Sequence, residues 1–341
     1  MTIQVARVLL GIPAISATSE LIPGNNSWRK TMHVASCERR IGLAIFLSIL
    51  LMVYLQYPGL SIAQKHDAAS QQPFAYQRSV AFDLKEASRK KQDGVIIRDV
   101  NCAACDPRHK RIDAYLVRPT GRGRFAGVVF FHWLGNVKSD RTEFLDEAVA
   151  LAKQGTVSLL IQGYFPWLEE PTEGQADRRL VIDQTIEVRR ALDLLLSQPQ
   201  VDAKRLAFVG HDYGAIFGGI VAGVEKRVKA YILMAGMGNF SDWSLKYWPV
   251  TAAKGEEAYR QAMDAVDPIN YVHRAAPANL LFQFSNTDKF IPKATAMAYF
   301  EAASKPKQIK WYDAVHDLNV DAARKDRQEW LTRQLLLAPP N

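Results

Sequence analysis

Residues 210–214 combine the side chains and the spacing of a nucleophile held on a sharp turn. They read Gly-His-Asp-Tyr-Gly, with Asp212 at the centre. The preceding residues 204–209 are apolar and typical of a strand, and residues 216–224 are small and apolar, typical of a buried helix. A strand, a tight Gly-x-x-x-Gly turn and a helix expose the central side chain, and glycine suits the points where the strand and helix nearly touch. The pattern predicts that Asp212 is a nucleophile.

Aspartate at this position restricts the chemistry. Serine, the usual central residue, attacks an ester to form an acyl-enzyme that water resolves. Attack of an aspartate on an ester carbonyl gives a mixed anhydride from a poor nucleophile, which is an unfavourable route. Attack of Asp212 on a saturated carbon displaces a halide or opens an epoxide, and leaves an alkyl–aspartyl ester. The sequence therefore favours hydrolysis of an epoxide or a carbon–halogen bond, with ester or lactone hydrolysis and a non-catalytic binding protein as alternatives.

Two further side chains lie where the partners of a nucleophile are expected. An acid and then a histidine should follow the nucleophile along the chain. Asp288 comes just after the apolar run 280–285, and His316 comes just after the run 308–312. We therefore predict a catalytic triad of Asp212, Asp288 and His316. The acids that compete with Asp288 are Asp242, Asp313 and Asp317.

The oxyanion formed during turnover needs backbone N–H donors. One predicted donor is the N–H of Tyr213, directly after the nucleophile. The second comes from the loop that follows the apolar run 126–132, and there Trp133 and Leu134 are the two candidates. Trp133 is equally suited to packing at the rim of the site.

Strands alternate with helices through the rest of the chain, which predicts an α/β fold with a doubly wound, mostly parallel sheet. Ligands of such sheets bind at the carboxyl ends of the strands. Residues 235–275 are longer than a simple crossover needs and rich in aromatic residues, so they form either a small cap insertion or surface helices. Strands are predicted at 94–100, 111–118, 126–132, 156–161, 204–209, 228–234, 278–284 and 308–312, and helices near 144–152, 179–197, 216–224, 293–303 and 324–336.

Residues 90 to 337 resemble the dienelactone hydrolase-like branch of the α/β-hydrolases. The resemblance implies the α/β-hydrolase fold in a single domain, and hydrolysis of esters or lactones without a cofactor. That branch uses Ser or Cys as its nucleophile, whereas the turn around Asp212 is similar to that of epoxide hydrolases and haloalkane dehalogenases. The residues behind the resemblance are 127–132, 210–214, Asp267 with Pro268, 286–292 and 313–316.

The two Asp-based families imply different helper groups. A dehalogenase needs N–H donors for the halide, typically a Trp after the nucleophile and an Asn or Trp in the oxyanion loop. Here Tyr213 follows the nucleophile and Leu134 occupies the expected Asn position, although Trp133 and Asn136 could compensate. An epoxide hydrolase needs a phenol to protonate the opening oxygen, and the candidates are Tyr164, Tyr247, Tyr259 and Tyr271.

The N-terminus is typical of an export signal rather than of a folded domain. Residues 41–55 are uncharged and apolar, Arg39 and Arg40 precede them, and small residues end at Ala63. These are the regions of a signal peptide cleaved near Ala63, with an N-terminal membrane anchor as the alternative. We expect translation to start at Met32 and the signal peptide to lie within residues 1–63. A disordered lead-in is expected at 64–79 and a hydrolase domain at 80–341. The protein is then expected to be periplasmic or secreted, without stable membrane association after cleavage.

Charge and cysteine content limit the partners. The net charge of +8 is spread along the chain without a basic run interleaved with aromatics, so we expect a small-molecule substrate and no nucleic acid. Cys102 and Cys105 lack a second ligand pair with zinc spacing, so we expect no metal. In an exported protein their spacing favours a short-loop disulfide in an edge hairpin.

Overall fold

Continuous apolar runs form the central strands, because these strands are covered on both faces. The computed structural model describes residues 72–105, 108, 111–133, 140–166, 168–253 and 255–338. Within them the strands are β1 (Lys85–Gln92), β2 (Val95–Ala103), β3 (Arg111–Pro119), β4 (Phe125–Phe131), β5 (Thr156–Ile161), β6 (Val201–His211), β7 (Ala230–Met234), β8 (Asn279–Ser285) and β9 (Lys307–Tyr312). They form one sheet in the order β1-β2-β3-β5-β4-β6-β7-β8-β9.

The direction of the strands decides where the site lies. β1, β2, β3 and β5 pair antiparallel in succession, and every pair from β5 through β4 to β9 is parallel. The carboxyl ends of β4, β6, β8 and β9 therefore share one edge of the sheet. The predicted doubly wound, mostly parallel sheet is confirmed.

Strand β1 has no counterpart in the sequence-based prediction. Its residues read Lys-Glu-Ala-Ser-Arg-Lys-Lys-Gln and all are exposed. Such a strand shows no apolar alternation, because as an edge strand it buries nothing. Charged side chains on an edge also oppose pairing with other chains.

The helices are α1 (Leu145–Lys153), α2 (Gly174–Leu196), α3 (Tyr213–Val224), α4 (Phe240–Tyr247), α5 (Pro249–Ala253), α6 (Glu256–Asp264), α7 (Ile269–Val272), α8 (Lys293–Ala302) and α9 (Asp321–Leu335). One apolar core joins α2, α3 and α8 to one face of the sheet. A second core joins α1 and α9 to the other face. All residues of α3 are buried, as its small, uniformly apolar sequence predicts.

The segment 235–275 folds mainly as helices packed on the α2–α3 face. α6 packs against α2 and α4, and α7 packs against α3. Phe240 and Trp243 of α4 are buried. The last turn of α4 approaches the site, since Tyr247 packs on Phe290 with ring centroids 5.9 Å apart. The described part of the segment therefore consists mainly of packed surface helices, and the end of α4 borders the site.

Asp267, which is distant in the sequence, stabilises the first turn of α4. Its carboxylate accepts the N–H of Phe240 at 2.7 Å and the N–H of Ser241 at 3.3 Å, groups that a helix leaves without intrahelical partners. Asp267 is 3% exposed. Burial raises the pKa of Asp267 to about 6, although these hydrogen bonds act in the opposite direction.

Ionisation of Asp267 is expected to destabilise the fold. A carboxyl whose pKa rises from 3.8 to about 6 on folding stabilises the native state below pH 3.8, and that contribution is lost as the pH rises through about 6. The difference corresponds to about 3 kcal/mol. The free energy of unfolding should therefore fall from pH 4 to pH 7 more steeply in wild type than in Asp267→Asn. Urea unfolding at several pH values measures this, and parallel profiles would contradict it.

The structure describes the N-terminal part only from residue 72 onward. Within the predicted disordered lead-in, Gln72–Phe74 forms a 3₁₀ helix, and Phe74 is buried edge-to-face against Tyr271 at 5.4 Å. An aromatic side chain that fills a core position thus anchors this stretch. The predicted signal peptide and Met32 lie outside the described residues. Among the described residues, no helix is long and apolar enough to cross a membrane.

The predicted disulfide is not formed. Cys102 and Cys105 remain thiols. Cys102 lies within β2, and Cys105 lies just beyond the end of that strand. The N–H of Cys105 donates to the buried carboxylate of Glu187. Burial raises the pKa of Cys102 to about 11, so its thiol stays protonated.

Candidate active site

The turn after β6 holds Asp212 in a conformation that aspartate seldom adopts. Its backbone angles are φ 50° and ψ −116°, a combination that costs about 1–3 kcal/mol. The N–H of Asp212 donates to the carbonyl of Met234 at 2.8 Å, and its carbonyl accepts the N–H groups of Ala215 and Ile216 at 2.9 and 3.0 Å. The neighbouring strand and the new helix together hold the strained residue in place.

The two glycines of the turn are sterically required. A Cβ at Gly210 would overlap the carbonyl of Gly214, and a Cβ at Gly214 would overlap the backbone of Phe131 and His132. The close approach of β6, α3 and β4 predicted from the Gly-x-x-x-Gly pattern is therefore present.

The predicted triad residues lie together at the carboxyl edge of the sheet. His316 Nδ1 donates to Asp288 Oδ2 at 2.8 Å. On the other side of the ring, His316 Nε2 lies 3.7 Å from Asp212 Oδ1. That distance is longer than a hydrogen bond, as is common for catalytic contacts without substrate. Asp212 is 3% exposed and His316 6%.

Asp288, rather than the competing acids, faces the histidine. Its Oδ1 accepts the N–H groups of Phe290 and Ile291 at 2.8 and 3.0 Å, which leaves Oδ2 for His316. The competing acids bind elsewhere: Asp242 pairs with Arg260, Asp313 accepts from Asn286, and Asp317 accepts the N–H of Asn319.

Two carboxylates keep the imidazole of His316 protonated. Burial opposes its charge, but Asp212 and Asp288 outweigh burial and raise the pKa of His316 to about 10. Burial likewise opposes the charge of Asp288, yet the hydrogen bond from His316 and two backbone N–H groups hold the pKa of Asp288 below its usual value. Such a pKa favours a protonated His316 between the two carboxylates at neutral pH.

The structure separates the predicted oxyanion donors. Tyr213 is the first residue of α3, where N–H groups have no intrahelical partner. The N–H of Trp133, in contrast, donates to Glu143 Oε2 at 2.8 Å. This N–H is therefore not available to an oxyanion while its hydrogen bond to Glu143 holds. The other candidate, Leu134, and also Asn136 lie outside the described residues.

The side chain of Tyr213 points away from the nucleophile. Its hydroxyl lies 2.9 Å from Nε2 of His132, and both side chains are buried. The N–H of Gly163 donates to the same Nε2 at 3.0 Å, so this nitrogen is an acceptor and Tyr213 donates to it. The phenol of Tyr213 is therefore bound to His132, and only the backbone N–H of Tyr213 remains a candidate donor for the site.

Of the four tyrosines considered as acids, Tyr247 packs on Phe290, whose ring lies 4.9 Å from that of His316. The hydroxyl of Tyr247 donates to the carbonyl of Phe290 at 3.4 Å. Tyr259 donates to Asp177 and Tyr271 to the carbonyl of Ala265, and Tyr164 is buried. Tyr247 is therefore a candidate acid that borders the site.

Two residues at this site, His211 and Glu143, were not predicted from the sequence. His211 Nδ1 lies 2.6 Å from Glu143 Oε1, and His211 Nε2 lies 3.0 Å from the carbonyl oxygen of His316. The position of His211, directly before the proposed nucleophile Asp212, could have indicated that it lies at the site. Glu143 gave none, because it meets His211 only through the fold.

Metal ligands are not assembled here: the described residues include no group of three or more His, Cys, Asp or Glu side chains that could hold a metal ion.

No protein-family model and no curated protein matches this sequence. Solved structures match it at low identity. The acetyl xylan esterase from Paenibacillus sp. R4 is 18% identical with a TM-score of 0.61, over 80% of this chain and 94% of that one. Acetyl xylan esterase 1 from Thermoanaerobacterium sp. JW/SL YS485 is 15% identical with a TM-score of 0.60, over 80% and 93%.

A structure named as a dienelactone hydrolase, from Klebsiella pneumoniae, is 16% identical with a TM-score of 0.53, over 72% of this chain and 99% of that one. At these identities the similarity concerns the fold. Together with the strand order and the strained turn after β6, it shows that this chain has the α/β-hydrolase fold.

Proposed function

We propose that this protein is a hydrolase of small organic molecules in which Asp212 attacks a saturated carbon bearing an epoxide oxygen or a halogen. The observation that carries the proposal is the carboxylate of Asp212 at the strained turn position, with His316 on one side and Asp288 behind it. No cofactor is needed for this chemistry.

In the first step an oxygen of Asp212 forms a bond to the substrate carbon. The carbon–halogen bond breaks with loss of halide, or the epoxide carbon–oxygen bond breaks to give an alkoxide. The alkoxide takes a proton from a nearby acid, for which Tyr247 and protonated His316 are the candidates. The product of either route is an alkyl ester of Asp212.

Formation of this ester changes the state of His316. Alkylation removes the negative charge of Asp212, which helps to raise the pKa of His316 to about 10. The pKa of the imidazole therefore falls, and His316 becomes a base held by Asp288. It then takes a proton from the water that attacks the ester carbon of Asp212. The oxyanion develops on Asp212 itself, beside the Tyr213 N–H, and collapse releases the alcohol or diol.

Ester hydrolysis is the second candidate, and the structural comparisons favour it. Three matching structures are named as acetyl xylan esterases or a dienelactone hydrolase. In this chain such a reaction would run without an acyl-enzyme on Asp212, with His316 activating water directly. The two candidates differ in whether a covalent bond to Asp212 forms.

Substitution of His316 by glutamine is expected to trap the covalent intermediate. The first step does not require His316 as a base, whereas hydrolysis of the ester does. Incubation of His316→Gln with a terminal epoxide or a haloalkane should add the epoxide mass, or the alkyl group in place of a proton, to the peptide that contains Asp212. Intact-protein and peptide mass spectrometry measures this addition.

The double variant Asp212→Asn with His316→Gln is the matched control and should carry no adduct. Nitrophenyl ester turnover that survives Asp212→Ala, with no adduct in His316→Gln, would instead support ester hydrolysis. Saturable binding of substrates without turnover of any of them would favour a non-catalytic binding protein.

A further inference from the structure

The carboxylate of Glu143 joins two segments of the active site. Its Oε2 accepts the backbone N–H of Trp133 at 2.8 Å, at the start of the loop expected to stabilise the oxyanion. Its Oε1 lies 2.6 Å from Nδ1 of His211, the residue directly before the nucleophile. Glu143 itself lies ahead of α1, on a segment that holds none of the triad residues.

The imidazole of His211 extends this chain of contacts to the third segment. Its Nε2 lies 3.0 Å from the carbonyl oxygen of His316. A carbonyl oxygen only accepts, so Nε2 carries a proton and donates it. A further proton lies between Nδ1 and Glu143 Oε1, since both are acceptors without it. The pair therefore makes one hydrogen bond to the backbone of Trp133 and one to the backbone of His316, in addition to the contact between Glu143 and His211.

Contacts between aromatic rings link the same segments. The indole of Trp133 stacks on the imidazole of His211, with centroids 5.2 Å apart and planes 7° apart. The ring of His316 contacts both, at 5.8 Å from Trp133 and 5.6 Å from His211. The His211 side chain is fully buried and the Glu143 side chain is 15% exposed.

We propose that Glu143 and His211 are positioning residues that hold the backbones of Trp133 and His316 in register with Asp212. This inference rests on the proposed function only where it predicts a change in kcat. The geometric consequence, the placement of the His316 ring between its two carboxylates, is independent of the reaction. Loss of the hydrogen bond from His211 frees the backbone of His316, so its Nε2 and Nδ1 no longer keep their distances to both acids.

Three variants separate positioning from general stability. His211→Phe keeps an aromatic ring against Trp133 and removes both N–H groups. Glu143→Leu keeps the approximate size of the side chain and removes both acceptors. Glu143→Gln preserves the network: the amide oxygen accepts the Trp133 N–H, the amide nitrogen donates to His211 Nδ1, and Nε2–H still donates to His316. Asp146→Asn is the matched control, because it removes one charge from an exposed side chain of the same segment.

We expect kcat to fall about 10²-fold in His211→Phe and in Glu143→Leu, with KM changed by less than about threefold, since small displacements of catalytic groups cost about this much. Glu143→Gln and Asp146→Asn should stay within about threefold of wild type. In the same proteins, NMR titration of histidine-labelled samples follows His316, assigned with His316→Gln. Its pKa should fall from about 10 toward 6.5 in His211→Phe and Glu143→Leu alone.

The titration keeps the test valid if the proposed reaction is wrong, because it needs no substrate. A normal His316 titration in Glu143→Leu and His211→Phe would overturn the inference. Equal losses of kcat and of melting temperature in Glu143→Leu and Glu143→Gln would also overturn it, since a positioning role predicts rescue by the amide. If His211→Phe does not fold, the comparison of Glu143→Leu with Glu143→Gln is sufficient to test the inference.

Discussion

Replacement of Asp212 by asparagine is expected to reduce kcat on the order of 10⁴- to 10⁶-fold, the range seen when a single member of a catalytic triad is removed. The amide keeps the shape of the side chain and the turn that presents it. It is not a nucleophile at a saturated carbon, so the alkyl ester cannot form. Steady-state kinetics with epoxide and haloalkane substrates measures the loss.

The same variant reports on the electrostatics of the site without any substrate. Asp212 is one of the two carboxylates that raise the pKa of His316 to about 10. Its neutralisation should lower the pKa of His316 while Asp288 remains bound to Nδ1. Asp242→Asn, which alters an exposed acid paired with Arg260, is the control and should keep both kcat and the titration. Undiminished turnover in Asp212→Asn would exclude Asp212 as the nucleophile.

Asp288→Asn is expected to reduce kcat about 10⁴-fold by imposing the wrong tautomer on His316. The N–H groups of Phe290 and Ile291 require an acceptor, so the amide oxygen takes the place of Oδ1. The amide NH₂ then faces His316 Nδ1, which must accept, and the proton of the neutral ring moves to Nε2. A ring protonated at Nε2 cannot accept a proton from water beside Asp212.

The pH dependence of Asp288→Asn follows from the same contact. Loss of the carboxylate removes a group that raises the pKa of His316, so His316 should release its proton at lower pH than in wild type. NMR titration measures this shift, and Asp313→Asn, at an acid that accepts from Asn286 instead, is the matched control. A loss of less than tenfold in kcat with an unchanged His316 titration would assign the role of Asp288 to another acid.

The sequence predicted the central strands well because their signal is local. Strands β4 and β5 are covered on both faces, so their buried residues are consecutive in the chain. The signal for the turn at Asp212 was equally local. The glycines on either side are required because a Cβ there would clash with backbone a few residues away or with the adjoining strand. Edge strand β1 buries nothing, and so its sequence carried no such signal.

The site was predictable in its chemistry but not in its full membership. The order of nucleophile, acid and histidine, each beyond a strand, identified Asp212, Asp288 and His316. The tertiary structure shows that Asp288, and not the competing Asp313, faces His316; the direction of each side chain depends on the loop that carries it. It also brought in Glu143, which lies 68 residues from His211 along the chain.

By itself, then, the sequence predicted the turn that carries Asp212 and the alternation of strands and helices, since these depend on residue types at short spacing, and it suggested Asp212 as the nucleophile. The tertiary structure showed that Asp288 is the acid bound to His316 and that the N–H of Trp133 is bound by Glu143. Each of these depends on a distance between side chains that are brought together, or held apart, only when the sheet and its loops have formed.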